Sequence, residues 1–178
     1  MQAALAYADN EEYKKSIDVD TRLLGVIADM EKGSVGARRK YRDYSGNKYV
    51  VYTRLLSNYP LLTNEEVERY YKGAMTMVQT DSLSATTNRV SMRPQIYYAM
   101  AHKDYRQAVD LLKKYIDYPY NAQTRRLLLK LMIEAADATD DNEALLYASR
   151  QYNEILEETL EQRNQEKYRE LQLSLIHI

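Results

Sequence analysis

The stretch from Thr21 to Tyr44, TRLLGVIADMEKGSVGARRKYRDY, constrains the fold more than any other part of the sequence. Its apolar and small residues recur at helical spacing on both sides of Gly33, which predicts two short helices joined by a glycine turn. Small side chains at the facing positions let two helices approach closely, and tyrosine rings close the end of the pair. The residues predicted to pack in this way are Leu24, Gly25, Ala28, Ala37 and Tyr41.

The same pattern returns twice later in the chain, first about two 34-residue periods after Ala37 and then about one period further on. The returning residues are Ala108 with Leu112, and Ala144 with Ala148. Between these units, residues 45–47 predict a turn and residues 48–78 predict a less regular helix pair. Its second helix starts with a capping box, Thr63 followed by Glu66, and has Val67 where the pattern has alanine. The whole chain is therefore predicted to be all-α and built from helix pairs.

Polar residues ahead of the apolar runs predict where several helices begin. Residues 2–15 are predicted to form one helix, and Asp18 or Asp20 is predicted to cap the next. Ser91 is predicted to cap the helix that has Pro94 in its first turn, because proline is tolerated there. Asp104, with glutamine three residues later, is predicted to cap the helix that follows.

The order of leucine-glycine, alanine, alanine and tyrosine across the first unit resembles a tetratricopeptide repeat. The resemblance covers most of the chain, and the units that match well are the first one and the one around Ala108 and Leu112. It implies a right-handed α-α superhelix of antiparallel helix pairs, ending in a long C-terminal helix. It also implies that the chain binds a protein or peptide ligand in its groove, without catalytic chemistry or a cofactor.

Composition narrows the classes of function. The formal net charge is -1, which gives no general attraction to nucleic acid or to anionic lipid. There is no cysteine, so disulfides and thiolate metal sites are excluded. Phenylalanine and tryptophan are also absent while tyrosine occurs 18 times, so tyrosine must supply all the aromatic packing. No apolar run approaches the roughly 20 residues of a membrane span.

The last six residues, LSLIHI, match the in-frame translation of an adapter end used in sequencing-library preparation. We therefore expect residues 173–178 to be a non-native scar and the natural chain to continue beyond residue 172. Residues 1–153 are predicted to form the helical repeat domain. Residues 154–172 are predicted to be a charged extension of the last helix, which acts as a linker or stalk.

Tyrosine pairs are the most interesting candidates for a binding surface. Neighbours on a helix point about 100° apart, so only one member of Tyr70–Tyr71 and of Tyr97–Tyr98 can lie deep in the core. The other ring either packs against the next repeat, which we favour, or lines the groove and stacks on a peptide or glycan. The groove candidates are Asn58, Tyr70, Tyr97 and Tyr98.

Other candidate sites are weaker. His102 is the only histidine outside the scar, and a metal site needs several converging ligands, so we predict a role at a helix end and no metal site. The basic run Arg38–Arg39–Lys40 with Arg42 spreads around a helix, so we favour a solvated face over binding to nucleic acid or an acidic peptide. No nucleophile elbow, phosphate loop or zincin motif occurs in the sequence, so we do not expect an enzyme in these residues.

Two hypotheses of function remain. The run RNQEKYRELQ, residues 163–172, resembles the exit from the repeat region of Bacteroidota membrane-bound sensor histidine kinases. That resemblance implies a periplasmic sensory module of a two-component system, with a homodimer through the C-terminal helix and contact with the membrane only through missing segments. The alternative is a free-standing cytoplasmic adaptor in which the same helix is the polar cap that a solenoid requires. A transcription regulator with a downstream helix-turn-helix is compatible with both.

Overall fold

The computed structural model describes residues 13–32, 44–79, 87–118 and 120–176. Every regular element in these ranges is helical, which confirms the predicted all-α class for the described part of the chain. The elements are α1 (Tyr13–Glu31), α2 (Ser45–Leu56), a 3₁₀ turn (Tyr59–Leu61), α3 (Asn64–Gln79), α4 (Thr87–Ala101), α5 (Tyr105–Tyr115), α6 (Ala122–Asp137) and α7 (Asn142–Ile176). The right-handed superhelical path stays a prediction.

Packing divides the chain into two units, residues 1–111 and 112–178. In the first unit α1 packs on α2, α2 on α3, and α3 on α4, and in the second unit α6 packs on α7. Short connections between packed helices are typical of antiparallel neighbours. The domain boundary predicted after residue 153 lies inside α7, which continues through it without a break, and that boundary stays a prediction.

Helix α1 runs without interruption from Tyr13 to Glu31. Asp18 and Asp20 therefore lie inside a helix, so the prediction that one of them is an N-cap is wrong, and residues 13–15 belong to α1 and not to a separate helix. Asp20 is fully buried and accepts a hydrogen bond from Arg54 of α2, with Nε and Oδ2 2.9 Å apart. Local spacing predicts that Asp20 is a helix cap, but its carboxylate is bound by Arg54, which is distant in sequence.

Helices α2 and α3 pack closely where Gly73 faces Tyr52. A Cβ on Gly73 would stand 2.7 Å from Cζ of Tyr52, well inside normal carbon–carbon contact, so glycine is required for this arrangement. Val67 is buried, so the pair that departs from the repeat pattern has a packed core. The capping box is confirmed, because Glu66 N–H donates to Thr63 Oγ1 at 3.3 Å and Thr63 N–H donates to Glu66 Oε2 at 2.9 Å.

Helix α4 begins at Thr87, ahead of the predicted cap, so the prediction that Ser91 caps it is wrong. Pro94 consequently lies inside the helix and not in its first turn. Because proline has no N–H, this position costs α4 one backbone hydrogen bond. The predicted cap of α5 is confirmed, since Gln107 N–H donates to Asp104 Oδ1 at 3.2 Å.

The second unit is built around α6 and the first half of α7. The buried residues of α6 are Leu128, Leu129, Leu131, Met132, Ala135 and Ala136. Asn121 caps α6 by accepting from Thr124 N–H at 2.8 Å. Asp141 caps α7 by accepting from Ala144 N–H at 3.0 Å. The hairpin is thus defined at both helix starts by side chains close in sequence.

Helix α7 changes character along its length. Ala148 is fully buried, Leu160 is 57% exposed, and every residue from 161 to 170 is exposed. The prediction of one long helix whose apolar face fades is therefore confirmed. None of the described helices combines the length and the apolar character needed to cross a membrane.

Candidate functional site

Three rings form a row on the outer side of α3 and α4, and we call Tyr71, Tyr98 and His102 the aromatic row. Tyr71 and Tyr98 stack, with ring centroids 4.1 Å apart and planes inclined by 25°. Tyr98 lies on the last turn of α4 and His102 directly follows that helix, and the centroids of the two rings are 4.4 Å apart. Stacking across the two helices gives the row a fixed geometry at the surface.

Glu68 of α3 provides the polar edge of the aromatic row. Tyr98 Oη donates a hydrogen bond to Glu68 Oε1 at 2.6 Å, and His102 Nε2 lies 3.3 Å from the same oxygen. The hydrogen bond to Glu68, followed by burial, raises the pKa of Tyr98 to about 12. Burial also raises the pKa of Tyr71. Both phenols therefore stay protonated at neutral pH, and the row presents stacked rings beside a carboxylate.

The contacts of His102 involve an aromatic ring and a carboxylate. Among the described residues no group of three or more His, Cys, Asp or Glu side chains could hold a metal ion. His102 follows the last residue of α4, Ala101, which is the helix-end position that the sequence predicts. Its place in the row shows that it also connects α4 to Glu68 of α3.

The structure places the predicted groove candidates differently from one another. Tyr70 and Tyr97 are buried, with 3% and 1% exposure, while Tyr98 is half-buried at the surface. Tyr71, which the sequence analysis does not select, is the surface member of its pair. The candidate surface therefore moves from Tyr70 and Tyr97 to Tyr71 and Tyr98. Adjacent positions carry identical residues, so only the packing of α3 and α4 decides which ring turns inward.

The fourth groove candidate, Asn58, has a structural environment. It is buried, with 6% exposure, and its Nδ2 donates to the backbone carbonyl of Arg54 at 3.0 Å. This hydrogen bond satisfies one of the carbonyl groups left without a helical partner at the end of α2. Asn58 is thus buried at the end of α2 and offers no groove surface.

The residues predicted to pack the repeats fall into three groups. Buried are Ala108, Leu112, Ala144 and Ala148. Half-buried or exposed are Leu24, Ala28 and Gly25. Outside the described residues lie Ala37 and Tyr41, with the basic run Arg38, Arg39, Lys40 and Arg42. Because the helix predicted to face Gly25 lies outside the described residues, close approach at Gly25 stays a prediction.

A cleft in the second unit is the other candidate site. It has a volume of about 270 Å³ and lies between the end of α5, the middle of α6 and the start of α7. Its lining residues are Lys113, Ile116, Asp117, Met132, Glu143, Ala144 and Tyr147. Residues from three separate segments form it, and no linear motif marks them, which is why sequence reasoning misses this cleft.

The rim of the cleft carries a defined set of polar groups. Lys113 Nζ lies 2.7 Å from Asp141 Oδ2, and this hydrogen bond is the main cause of the lowered pKa of Asp141. Tyr147 Oη donates to Asp117 Oδ1 at 3.5 Å, which is a long and weak hydrogen bond. The ammonium group of Lys113 at the rim is therefore paired with the carboxylate of Asp141 next to the cleft. The acidic side chains of Asp117 and Glu143 remain around an apolar floor.

The described part of the chain is therefore all-α, with packed helices, a stacked aromatic surface and a small acidic cleft. Comparison with known proteins adds no relative, since no protein-family model, curated protein or solved structure matches this chain.

Proposed function

We propose that this chain is a non-catalytic protein-interaction and sensory module, and that α7 carries its output. The observation that supports this most is the change along α7, which starts inside a packed unit and continues with residues 161–170 all exposed. A helix that is polar all around gains little from its own packing, so its stable use is to reach a partner or to connect domains. Its 35 residues correspond to a length of roughly 50 Å.

The body of the molecule supplies surfaces for a protein or peptide ligand. The aromatic row offers stacked rings with a carboxylate edge, and such rings bury well while their hydroxyl groups stay wet. A ligand that favours one arrangement of α6 against α7 would shift α7, since these two helices of the second unit pack on each other. In this proposal α7 dimerises with α7 of a second copy.

The resemblance of residues 163–172 to the exit from the repeat region of sensor histidine kinases supports the same proposal. In that case the module is the periplasmic input region of a signal-transduction protein, and catalysis belongs to segments outside this sequence. The alternative is a cytoplasmic adaptor, which the same exposed end of α7 favours if it serves as the polar cap of the helical array.

The decisive experiment is to sequence the genomic locus beyond codon 172. We expect an open reading frame that encodes an apolar run of about 20 residues and then a signalling domain. A stop codon within a few residues would overturn the sensory proposal in favour of the adaptor. A cytoplasmic domain joined directly to α7, without the apolar run, would also overturn it.

The dimer is tested with the chain extended by its native downstream residues up to any membrane segment. We expect sedimentation equilibrium to show a concentration-dependent dimer that Leu160→Ser combined with Tyr168→Ser weakens, because these two side chains are 57% and 69% exposed. Gln162→Ser combined with Gln165→Ser on the same helix is the matched control. An extended chain that stays monomeric at every concentration contradicts dimerisation through α7.

A further inference from the structure

The cleft of the second unit combines an apolar floor with an acidic rim. Ile116, Met132 and Ala144 form the floor, and each is at most 2% exposed. The rim side chains include Asp117 and Glu143, both exposed, and Tyr147 with 39% exposure. An apolar floor can contact the methylene groups of a ligand, and an acidic rim can contact its polar or charged end.

The charge of the cleft is negative. Lys113 is the cation at the rim, and Asp141 neutralises it at 2.7 Å. Among the described residues neither Asp117 nor Glu143 has an ion-pair partner, and the only hydrogen bond to the Asp117 carboxylate in this cleft is the 3.5 Å contact from Tyr147. The positive N-terminal end of α7 is already capped by Asp141. Two carboxylates therefore remain to attract a cation.

The size of the cleft restricts that cation. A volume of about 270 Å³ lies just below the range of ligand pockets, which begins at about 300 Å³, and is enough for one long side chain. The described residues hold no cluster that could bind a metal ion, so an organic cation fits better. Lysine and arginine carry a charged head on an aliphatic stem, and the exposed ring of Tyr147 can also contact such a head through a cation–π interaction.

We propose that this cleft binds one lysine or arginine side chain of a partner peptide, with the stem on Ile116 and Met132 and the head between Asp117 and Glu143. This rests on the proposed function as a protein-interaction module and names the chemistry of its ligand. Charge complementarity selects the occupant, because an acidic side chain would meet two carboxylates of its own sign.

The test is an NMR titration of the whole chain, labelled at methionine and isoleucine methyl groups, with three probes. The probes are N-acetyl-arginine methylamide, N-acetyl-lysine methylamide and the neutral N-acetyl-norleucine methylamide. We expect the two basic probes to shift the methyl signals of Met132 and Ile116, and the neutral probe to bind about tenfold more weakly because it lacks the charge-assisted contacts.

The variant pair separates charge from fold. Asp117→Asn combined with Glu143→Gln keeps the shape of the rim, and we expect it to weaken the basic probes about tenfold. Glu157→Gln combined with Glu161→Gln removes the same charge from an exposed part of α7 and should leave binding unchanged. Circular dichroism confirms that both variants fold, which is expected because all four positions are exposed.

Three outcomes overturn the proposal: equal affinity for the norleucine probe, unchanged binding by the cleft variant, or methyl shifts that avoid Met132 and Ile116. Each is independent of the genomic and sedimentation tests of the proposed function. If the titration fails but the chain dimerises through α7, the proposed basic ligand is wrong and the proposed sensory module still stands. If the titration succeeds but a stop codon follows residue 172, the basic ligand still stands and the proposed sensory role is wrong.

Discussion

The two units each contain an ion pair between helices or their caps, and the two pairs lie in opposite environments. In the first unit the side chains of Asp20 and Arg54 are 0% and 15% exposed, and burial raises the pKa of Asp20 although Arg54 opposes the shift. In the second unit the side chains of Lys113 and Asp141 are 45% and 28% exposed, and the hydrogen bond from Lys113 lowers the pKa of Asp141.

Burial, more than the presence of opposite charges, decides how much stability is lost when an ion pair is broken. A buried pair is costly to break because the remaining charge cannot reach water, whereas an exposed pair contributes little to stability.

The raised pKa of Asp20 decides how its contribution to stability depends on pH. Its contribution to stability is complete below the ordinary value of 3.8 and is lost as pH rises through the higher pKa of the folded state.

The largest expected effect comes from breaking the buried pair. Arg54→Ala leaves the Asp20 carboxylate buried without its guanidinium, and we expect urea unfolding to show a loss of about 3–5 kcal/mol. Replacing both partners by apolar residues, Asp20→Leu with Arg54→Met, should recover most of that loss, because no charge then remains buried. A double variant as unstable as Arg54→Ala would show that the pair itself stabilises the first unit.

The next effect tests the close approach of α2 and α3. Gly73→Ala places a methyl group 2.7 Å from the Tyr52 ring, and we expect a net loss of about 1–2 kcal/mol after the gain in helix propensity. In a Tyr52→Leu background the same change should cost nothing or stabilise the chain. Gly25→Ala is the matched control, because a Cβ there meets no described atom within 4 Å and should stabilise α1. Equal effects of Gly73→Ala and Gly25→Ala would contradict the packing at Gly73.

A smaller effect separates the two roles of Asp141 in the second unit. Asp141→Ala removes the cap of α7, so we expect the melting temperature to fall by about 2–4 °C. Asp141→Asn keeps a capping oxygen, so it should lower the melting temperature less. Lys113→Ala should change the melting temperature least, because the ion pair is exposed and screened by salt. If Lys113→Ala lowered the melting temperature as much as Asp141→Ala, the expectation that the exposed ion pair contributes little to stability would be wrong.

The smallest effect concerns the aromatic row at high pH. The pKa of Tyr98 is raised from 10.0 to about 12, so the stability linked to this group is complete below pH 10 and is lost as pH rises through about 12. We expect Tyr98→Phe to reduce the alkaline loss of stability, measured as the urea midpoint against pH. Tyr13→Phe, at an exposed position, is the control. Identical pH profiles for the chain and for Tyr98→Phe would contradict the hydrogen bond to Glu68.

The fold class and several helix starts follow from the sequence because their causes are local. Helical periodicity and the capping residues Thr63 and Asp104 act within about four residues, and the structure confirms both caps. The candidate site was harder to predict. The sequence names Tyr70, Tyr97 and Tyr98 as groove candidates, whereas the structure buries Tyr70 and Tyr97 and leaves Tyr71 and Tyr98 half-buried at the surface. The sequence does not separate them, because both members of each pair fit the helical pattern equally well.

By itself the sequence determined that the chain is helical, where its apolar stripes lie, and that its last helix loses its apolar face. These properties depend on spacing along one helix, which the sequence contains directly. Only the tertiary structure decided that Asp20 pairs with Arg54, that Gly73 faces Tyr52, and that an acidic cleft forms above Met132. Those features join segments that are distant in sequence, and they exist only when helix packing fixes which faces meet.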